Sequence, residues 1–214
     1  MEIIPREARR ITYSTQIRDL KKTLHLNYVQ KSVIIGSILG DGHFSENWSK
    51  TNYRLEVIQS RKQADYVMWK HNILKDWVLS KPNYRRNDNS IRFRTISHPE
   101  LTELHRMFYR EKVKIIPENI SELLSPVTLA VWFMDDGNIR KDDGRIYGYY
   151  LNTHSFTKQE NYKLAEALKD RFGIRSLVLN NKGKFRLYIG TDRKPFANII
   201  KDIIIPSLRY KLLG

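Results

Sequence analysis

The sequence has no cysteine, no long apolar run and few acidic residues, and each of these features bears on the class of protein. The absence of cysteine from its 214 residues excludes a disulfide, a zinc–thiolate site and a cysteine nucleophile. No run of about 18 apolar residues occurs, so the sequence predicts no transmembrane helix. The N-terminal stretch lacks the apolar core and small-residue cleavage site of a secretory signal. These absences are typical of an intracellular protein.

Basic residues far outnumber acidic ones. The chain has 38 Lys and Arg against 23 Asp and Glu, and its formal net charge is +15. A charge of this size attracts polyanions. The basic residues are spread over many segments and alternate with aromatic residues, which favours nucleic acid over a membrane surface. The plainer alternative is a basic protein without a polyanionic partner.

Two stretches of the chain are similar in sequence, and the similarity extends to the predicted elements around them. Ile34–Gly42 and Leu129–Gly137 are apolar helical segments that end in Asp-Gly, 95 residues apart. Gln59 and His154, each followed by serine at the predicted start of a long helix, have the same spacing. Each half reads motif helix, two strands, helix, two strands, helix. The sequence therefore contains an internal duplication.

The duplication predicts an α+β protein with two related subdomains. The predicted division is an N-terminal helical extension at 1–30, a first subdomain at 31–117, a linker at 118–125 and a second subdomain at 126–214.

Helix and turn signals set the predicted limits of the motif elements. A lead-in helix over 14–31, capped by Ser14 or Thr15, is expected to precede a first motif helix over 32–39. The second motif helix is predicted over 126–134, with Ser125 as its N-cap and Pro126 in its first turn. The polar run 138–144 is predicted to be a turn.

Asp41 and Asp136 carry the chemistry that the duplication indicates. Each lies at the C-terminal end of an apolar helix, where the helix dipole disfavours negative charge. Small residues such as Gly36 and Ala130 permit the two helices to pack closely, which would bring the two carboxylates together. Two such carboxylates repel unless one binds a proton or a cation lies between them. Hard oxygen ligands without cysteine indicate Mg²⁺ or Mn²⁺, a combination that suits phosphodiester cleavage.

Asp135 is a second candidate in the same motif. Its partner by register is Gly40, whereas Asp136 matches Asp41, so Asp136 is favoured. A single Asp-Gly that merely ends a helix is the structural alternative. It explains one such site more easily than two in the same register.

The two motif copies, IIGSILGDG at Ile34–Gly42 and LAVWFMDDG at Leu129–Gly137, together with the element order, resemble the LAGLIDADG homing endonucleases of the single-chain, two-motif kind. The similarity extends to the yeast mitochondrial intron-encoded type and covers roughly residues 30–212. Leu39 and Met134 stand where the family's name-sequence has its first acid, a variable position.

The resemblance implies a fold and a metal site. Each half is expected to be an αββαββα unit, with the motif helices packed at the interface and the antiparallel sheets forming a DNA-binding saddle. Asp41 and Asp136 are expected to bind Mg²⁺, with Mn²⁺ as a substitute. The backbone carbonyls of Gly40 and Asp135 are expected to assist.

The resemblance also implies further catalytic residues. Lys114 and Lys211 match basic residues near the scissile phosphates. Gln59 and His154 match polar residues at strand ends that orient water. A solvated charge is the alternative for either lysine, and a position beside a helix N-cap is the alternative for His154.

The strand arms of two predicted hairpins present polar side chains suited to the major groove of DNA. Arginine pairs with guanine edges and asparagine with adenine, and lysines more often contact phosphates. The candidates are Tyr84, Arg85, Arg86, Arg92, Arg94, Asn180, Lys182, Lys184, Arg186 and Tyr188.

The expected function is that of a monomeric, metal-dependent, site-specific endonuclease of double-stranded DNA. It would hydrolyse one phosphodiester in each strand of a long, non-palindromic target, without a membrane partner. We expect it wherever its target DNA lies, in a bacterial cytoplasm or an organelle matrix. The alternatives are an RNA maturase or a non-cleaving DNA-binding protein on the same fold, and an unrelated basic α+β structural protein.

Overall fold

The computed structural model describes residues 15–213, which form two compact units. The first contains residues 15–31 and 42–105, and the second contains residues 32–41 and 106–213. The first fourteen residues of the predicted N-terminal extension, with the candidate cap Ser14, lie outside the described residues. Within the described range, no helix has the length and apolar character needed to cross a membrane.

The first unit contains a four-stranded antiparallel sheet and the helices that cover it. Its strands lie in the spatial order β1 (His43–Glu46), β2 (Tyr53–Ser60), β4 (Ser90–Arg94) and β3 (Asn83–Arg85). Its buried face includes Ile91 and Phe93, whereas Arg92 between them is half-exposed and Arg94 after them is exposed, as the alternating pattern predicts. The elements are α1 (Thr15–Thr23), α2 (Tyr28–Leu39), β1 (His43–Glu46), β2 (Tyr53–Ser60), α3 (Ala64–Ile73), β3 (Asn83–Arg85), β4 (Ser90–Arg94) and α4 (Pro99–Phe108), with the unit boundary falling inside α2 and α4.

The second unit repeats this arrangement. Its four-stranded sheet is again fully antiparallel, in the spatial order β7 (Gly137–Asp142), β8 (Arg145–Leu151), β10 (Lys184–Ile189) and β9 (Leu177–Asn181). A two-stranded ribbon pairs β5 (Tyr109–Arg110) with β6 (Val113–Lys114). The elements are β5 (Tyr109–Arg110), β6 (Val113–Lys114), α5 (Ile120–Leu123), α6 (Pro126–Asp136), β7 (Gly137–Asp142), β8 (Arg145–Leu151), α7 (Lys158–Phe172), β9 (Leu177–Asn181), β10 (Lys184–Ile189), α8 (Arg193–Ile200) and α9 (Tyr210–Leu213). The prediction of an α+β protein with two antiparallel sheets is confirmed.

The second motif helix, α6, begins as predicted and ends later. The Ser125 hydroxyl accepts a hydrogen bond of 3.0 Å from the backbone N–H of Thr128, and Pro126 lies in the first turn. The helix continues through Asp136 rather than stopping at Met134. Both acids therefore lie in its last turn, where backbone carbonyls have no helical partner.

The first motif helix, α2, begins four residues earlier than predicted. It starts at Tyr28, and the lead-in helix ends at Thr23. Asn27 and Gln30 explain the start, because each side chain accepts a hydrogen bond from the backbone N–H of the other. This is the reciprocal arrangement of a capping box.

Close packing of the two motif helices depends on glycine. A Cβ on Gly36 would lie 2.6 Å from the carbonyl oxygen of Thr128 and 2.7 Å from Cβ of Val131. A Cβ on Gly40 would lie 2.4 Å from Cβ of Asp135. These separations are shorter than van der Waals contact, so the small residues are what permits this packing, as the sequence predicts.

The structure differs in detail from three sequence predictions about the connecting segments. The run 138–144, predicted as a turn, is mostly strand β7, whose outer residues are exposed and therefore lack an apolar pattern. The predicted linker 118–125 contains α5 and buries Ile120 and Leu124. Ser60 is an N-cap as predicted, since its hydroxyl accepts a hydrogen bond from the backbone N–H of Lys62, but it caps a 3-10 turn over Arg61–Gln63 that leads into α3, and α3 ends at Ile73 rather than near Leu79.

The compact units differ in extent from the predicted subdomains 31–117 and 126–214. Residues 32–41 of the first motif helix group with residues 106–213. The division into two duplicated subdomains is based on the sequence repeat and stays a prediction. The two compact units are based on which residues pack together.

Candidate active site

An open cavity of about 390 Å³ lies where the two motif helices end. All of its lining residues belong to the second unit. The lining residues are Gly40, Asp41, Lys114, Asp136, Asn152, His154, Ser155 and Lys184. The structure thus brings together both motif acids and two of the other predicted catalytic residues.

Asp136 has an abnormal affinity for protons. Burial raises its pKa, and the negative charges of Asp41 and Asp135 raise it further, to about 7. Lys114 and Lys211 act in the opposite direction. Raised acid pKa values in a cleft are typical of functional sites, because a carboxylate placed there for stability alone would not be kept beside another one.

Asp135 has different surroundings from Asp136. Its side chain is 8% exposed, and its Cβ and carboxylate pack against the backbone of Gly40. Asp41 and Asp136, which match each other in the sequence repeat, therefore line the cavity together. The Asp135 side chain lies instead in the contact between α2 and α6.

Lys114 and Lys211 bind equivalent main-chain atoms at the two helix ends. The Lys114 ammonium donates a hydrogen bond of 2.8 Å to the carbonyl oxygen of Gly40. The Lys211 ammonium donates to the carbonyl oxygens of Met134, at 2.5 Å, and Asp135, at 3.0 Å. The C-terminal end of a helix carries partial negative charge and open carbonyls. Each lysine is thereby held beside the residue that precedes a motif acid.

His154 lines the cavity, where its surroundings favour the neutral ring. Burial lowers its pKa, and the positive charges of Lys184 and Arg186 lower it further. Its Nε2 lies 3.1 Å from the amide nitrogen of Asn181. Since an amide nitrogen only donates, Nε2 accepts and the ring proton is on Nδ1.

Gln59 belongs to the first unit. It lies in β2 opposite Ile91 and is 8% exposed. Its assignment as a residue that orients water stays a prediction.

Asn152 is a site residue that the sequence reasoning missed. Its side-chain amide donates hydrogen bonds of 2.8 Å to the carbonyl oxygen of Asp136 and to Oδ1 of Asn138. Its backbone N–H donates to the same Asp136 oxygen at 3.1 Å. Asn152 thus ties the end of α6 to strand β8. The signal available was its position between a tyrosine-rich strand and His154.

The predicted DNA-contacting residues lie on the two hairpins as expected. Asn180 and Lys182 are exposed near the β9–β10 turn, where Lys182 and Gly183 both have positive φ, at 53° and 82°. This turn geometry matches the right-handed twist of the strands. In the first unit the exposed candidates are Tyr84, Arg85, Arg86 and Arg94, with Arg92 half-exposed; in the second they are Asn180, Lys182 and Lys184, with Arg186 and Tyr188 half-exposed.

The candidate metal ligands at the cavity are oxygen atoms, those of the Asp41 and Asp136 carboxylates and of the Gly40 carbonyl. Among residues 15–213 there is no cluster of three or more His, Cys, Asp or Glu side chains able to enclose a metal ion. Two carboxylates and nearby backbone carbonyls fit a hard divalent cation that keeps water or phosphate oxygens in its remaining positions. They do not fit a site closed entirely by side chains.

Two motif helices that each deliver an acid to one cavity, with a four-stranded antiparallel sheet in each unit, define a two-motif nuclease fold. Residues 31–196 match the LAGLIDADG DNA endonuclease family. The chain belongs to this family, and the resemblance drawn from its motifs is confirmed.

Individual relatives agree with this assignment. The chain is 28% identical over 214 residues to the probable intron-encoded endonuclease 1 of Wickerhamomyces canadensis, covering 94% of this chain and 91% of that protein. It is 27% identical over 194 residues to the cytochrome b mRNA maturase bI2 of Debaryomyces hansenii, covering 84% and 72%. The structure of the homing endonuclease I-WcaI bound to its DNA recognition sequence superposes with a TM-score of 0.84 at 28% identity, covering 94% of this chain and 93% of that one.

Proposed function

We propose that this protein is a site-specific endonuclease of double-stranded DNA that hydrolyses one phosphodiester bond in each strand of a long, non-palindromic target. The observation that carries the proposal is the convergence of Asp41 and Asp136 on one cavity that also contains Lys114. Membership of the family and the likeness to a DNA-bound homing endonuclease support it.

Asp41 and Asp136 would hold a divalent cation, assisted by the carbonyl oxygens of Gly40 and Asp135. Mg²⁺ is the proposed ion and Mn²⁺ a substitute, because both prefer oxygen ligands. When bound, such an ion lowers the pKa of a water molecule and offsets the charge of the phosphate. Without it, the raised pKa of Asp136 keeps that carboxyl partly protonated near neutral pH.

The remaining site residues have proposed roles around the phosphate. Lys114 and Lys211, anchored on the two helix ends, would place positive charge beside the scissile phosphates. Neutral His154 and Gln59 would orient water. The exposed arginines, asparagine and tyrosines of the hairpins would contact bases, and the lysines would contact the backbone.

Cleavage of a plasmid that carries the target tests the proposal. The target is first selected from a randomised DNA library by cleavage in Mg²⁺. Asp41→Asn and Asp136→Asn are expected to abolish cleavage while retaining binding, because the DNA-contacting hairpins are untouched. Asp142→Asn is the matched control, since Asp142 is exposed at the end of β7. Cleavage by both motif variants at the wild-type rate refutes the mechanism.

An RNA maturase is the second candidate, favoured by the 27% identity to the maturase bI2. Retention of both motif acids at one cavity favours the nuclease, because a chain that only binds RNA does not need them. The candidates differ in their ligands: the nuclease requires tight, sequence-specific binding to duplex DNA, whereas the maturase requires it for a folded intron RNA. The monomeric state and the compartment stay predictions.

A further inference from the structure

An arginine on the outer face of the second sheet is stacked on a tyrosine. Cζ of Arg186 lies 3.8 Å from the ring centroid of Tyr150. The two residues are on neighbouring strands, because Tyr188, two residues after Arg186, pairs with Tyr150. Diagonal neighbours of this kind share one face of a sheet. Arginine over an aromatic ring gains cation–π attraction and loses freedom to move.

The stacked arginine has an incomplete set of hydrogen bonds. Nε of Arg186 is shielded from solvent and has no hydrogen-bond partner in the described part of the chain. A buried donor without an acceptor is unfavourable, so the position is not explained by stability. The terminal nitrogens of this half-exposed side chain are not enclosed in this way, so they are the atoms that an acceptor from outside the chain can reach.

Tyr150 is itself held by a fixed neighbour, Tyr188. The two ring centroids are 5.1 Å apart, and the Tyr188 hydroxyl donates a 3.0 Å hydrogen bond to the carbonyl oxygen of Tyr147. A Cβ on Gly148 would lie 2.7 Å from the Tyr188 ring, and one on Gly190 would lie 2.9 Å from it. Two glycines therefore form the space that this ring occupies.

We infer that Tyr150 is a positioning residue that fixes the Arg186 guanidinium to read one guanine of the target. The inference rests on the proposed DNA endonuclease function. A guanidinium oriented by a ring presents its N–H groups as a fork, and the O6 and N7 atoms of guanine in the major groove are the acceptors that match it. Phosphate contact would not require this orientation, because a flexible ammonium suffices.

The position of Arg186 on its strand also sets where the guanine lies. Lys184, two residues earlier on β10, lines the cavity with the motif acids. Two strand residues span about 7 Å, which corresponds to about two base-pair steps of duplex DNA. The guanine is therefore expected in the central part of the target, within a few base pairs of a cleaved bond.

Selection of targets from a library randomised in its central base pairs tests the inference. Selection is done twice, by cleavage in Mg²⁺ and by binding in EDTA, for wild type, Arg186→Ala, Arg186→Lys, Tyr150→Phe and Tyr150→Leu. The matched control is Tyr162→Leu on α7, an exposed tyrosine that also has a cation beside it, with Lys158 Nζ 5.9 Å from its ring centroid. Thermal melting of each variant reports folding.

Arg186→Ala is expected to remove a guanine preference at one central base pair. Tyr150→Leu is expected to reduce discrimination at that base pair roughly tenfold and to leave the others unchanged. Tyr150→Phe keeps the ring and is expected to retain the guanine preference. Arg186→Lys loses the guanidinium fork and is expected to lose that preference. A change spread evenly over all base pairs, or one matched by Tyr162→Leu, would identify a merely structural tyrosine and overturn the inference.

The two selections separate this inference from the proposed function. If wild type selects a sequence by binding but cleaves none, the nuclease proposal fails and the binding profiles still decide the role of Tyr150. If cleavage is specific but Tyr150→Leu has the wild-type profile, only the inference fails. If no duplex DNA is selected by either route, both are wrong.

Discussion

The ammonium group of Lys114 and the carbonyl oxygen of Gly40 form a hydrogen bond of 2.8 Å, which fixes a positive charge one residue before Asp41. Lys211 has the same relationship to Asp135 and Asp136. Main-chain oxygens at helix ends are rigid acceptors, so each lysine is held in place in the absence of DNA. The charges around the cavity are therefore arranged before any substrate arrives, which is the arrangement that favours electrostatic catalysis.

Replacement of either lysine is expected to uncouple cleavage of the two DNA strands. Lys114 and Lys211 serve different helix ends, so Lys114→Met or Lys211→Met should slow hydrolysis of one strand by on the order of a hundredfold. Supercoiled plasmid would then accumulate as nicked circles before it becomes linear. Lys112→Met is the control, since Lys112 is exposed in the same ribbon and should leave the course of cleavage unchanged. Equal slowing of both strands by each variant would contradict this division of roles.

Asp136→Asn is expected to stabilise the metal-free protein above neutral pH. The folded pKa of Asp136 is about 7, above the ordinary 3.8, because burial and then Asp41 disfavour its charge. The unfolded chain therefore ionises first, and wild-type stability falls as pH rises from about 4 to about 7. The amide has no such loss, so its advantage should reach a few kcal/mol, at about 1.4 kcal/mol per pKa unit.

Thermal unfolding in EDTA at pH 4.5 and pH 8 measures this effect. The melting temperature of Asp136→Asn should exceed that of wild type mainly at pH 8. Asp142→Asn provides the comparison for loss of an exposed acid. A difference that is the same at both pH values would show that Asp136 does not titrate as described.

Glu56 should stabilise the first unit, and acid should remove its contribution. His43, followed by Ser45 and Arg54, lowers the pKa of Glu56 to about 2 against the opposing effect of burial. Ser45 donates a 2.8 Å hydrogen bond to it. Because the folded pKa is below the ordinary 4.5, this stability is fully present above about pH 4.5 and is lost as the pH falls toward 2.

Glu56→Gln is expected to destabilise the protein by about 1–2 kcal/mol at pH 7, allowing for solvent screening. At pH 3 the difference in stability between the variant and wild type is expected to be smaller. Urea unfolding at the two pH values gives the comparison. Glu166→Gln, on an exposed face of α7, is expected to have little effect at either.

A methyl group at Gly36 is expected to separate the motif helices. A Cβ there would lie 2.6 Å from the Thr128 carbonyl oxygen, so Gly36→Ala should destabilise the protein by about 1–3 kcal/mol. Ser37→Ala is the control in the next position of the helix. Its hydroxyl is buried without a hydrogen-bond partner within residues 15–213, so its removal should be neutral or stabilising. The melting temperatures of the two variants are compared. A lower melting temperature for Gly36→Ala alone indicates a packing effect, whereas a lower value for both indicates that the helix does not tolerate substitution in general.

Sequence reasoning located the motif acids because their helices obey strong local rules. Ser125 and Pro126 mark one helix start, and the repeated Asp-Gly marks both ends. Strand β7 was missed since its outer residues are exposed and polar, which gives no alternation to detect. The start of α2 was missed although the Asn27–Gln30 pair is a recognisable capping box.

The anchoring of the lysines was beyond sequence reasoning for a physical reason. The hydrogen bonds from Lys114 and Lys211 reach carbonyl oxygens 74 and 76 residues away in the chain. Backbone acceptors have no residue signature, so no pattern predicts such a contact. The stacking of Arg186 on Tyr150 likewise depends on strand register, which the β8–β10 pairing sets.

The packing of the first motif helix does not follow the division of the sequence into two halves. From residue 32 to residue 41 it groups with residues 106–213, and Gly36 packs on Thr128 and Val131 of α6. A gene fragment that starts in 118–125 would encode α6 without the helix that covers it, and would expose side chains that are wholly buried here. Hybrids made by exchanging halves between relatives should therefore keep α2 and α6 from one parent, or redesign the two surfaces together.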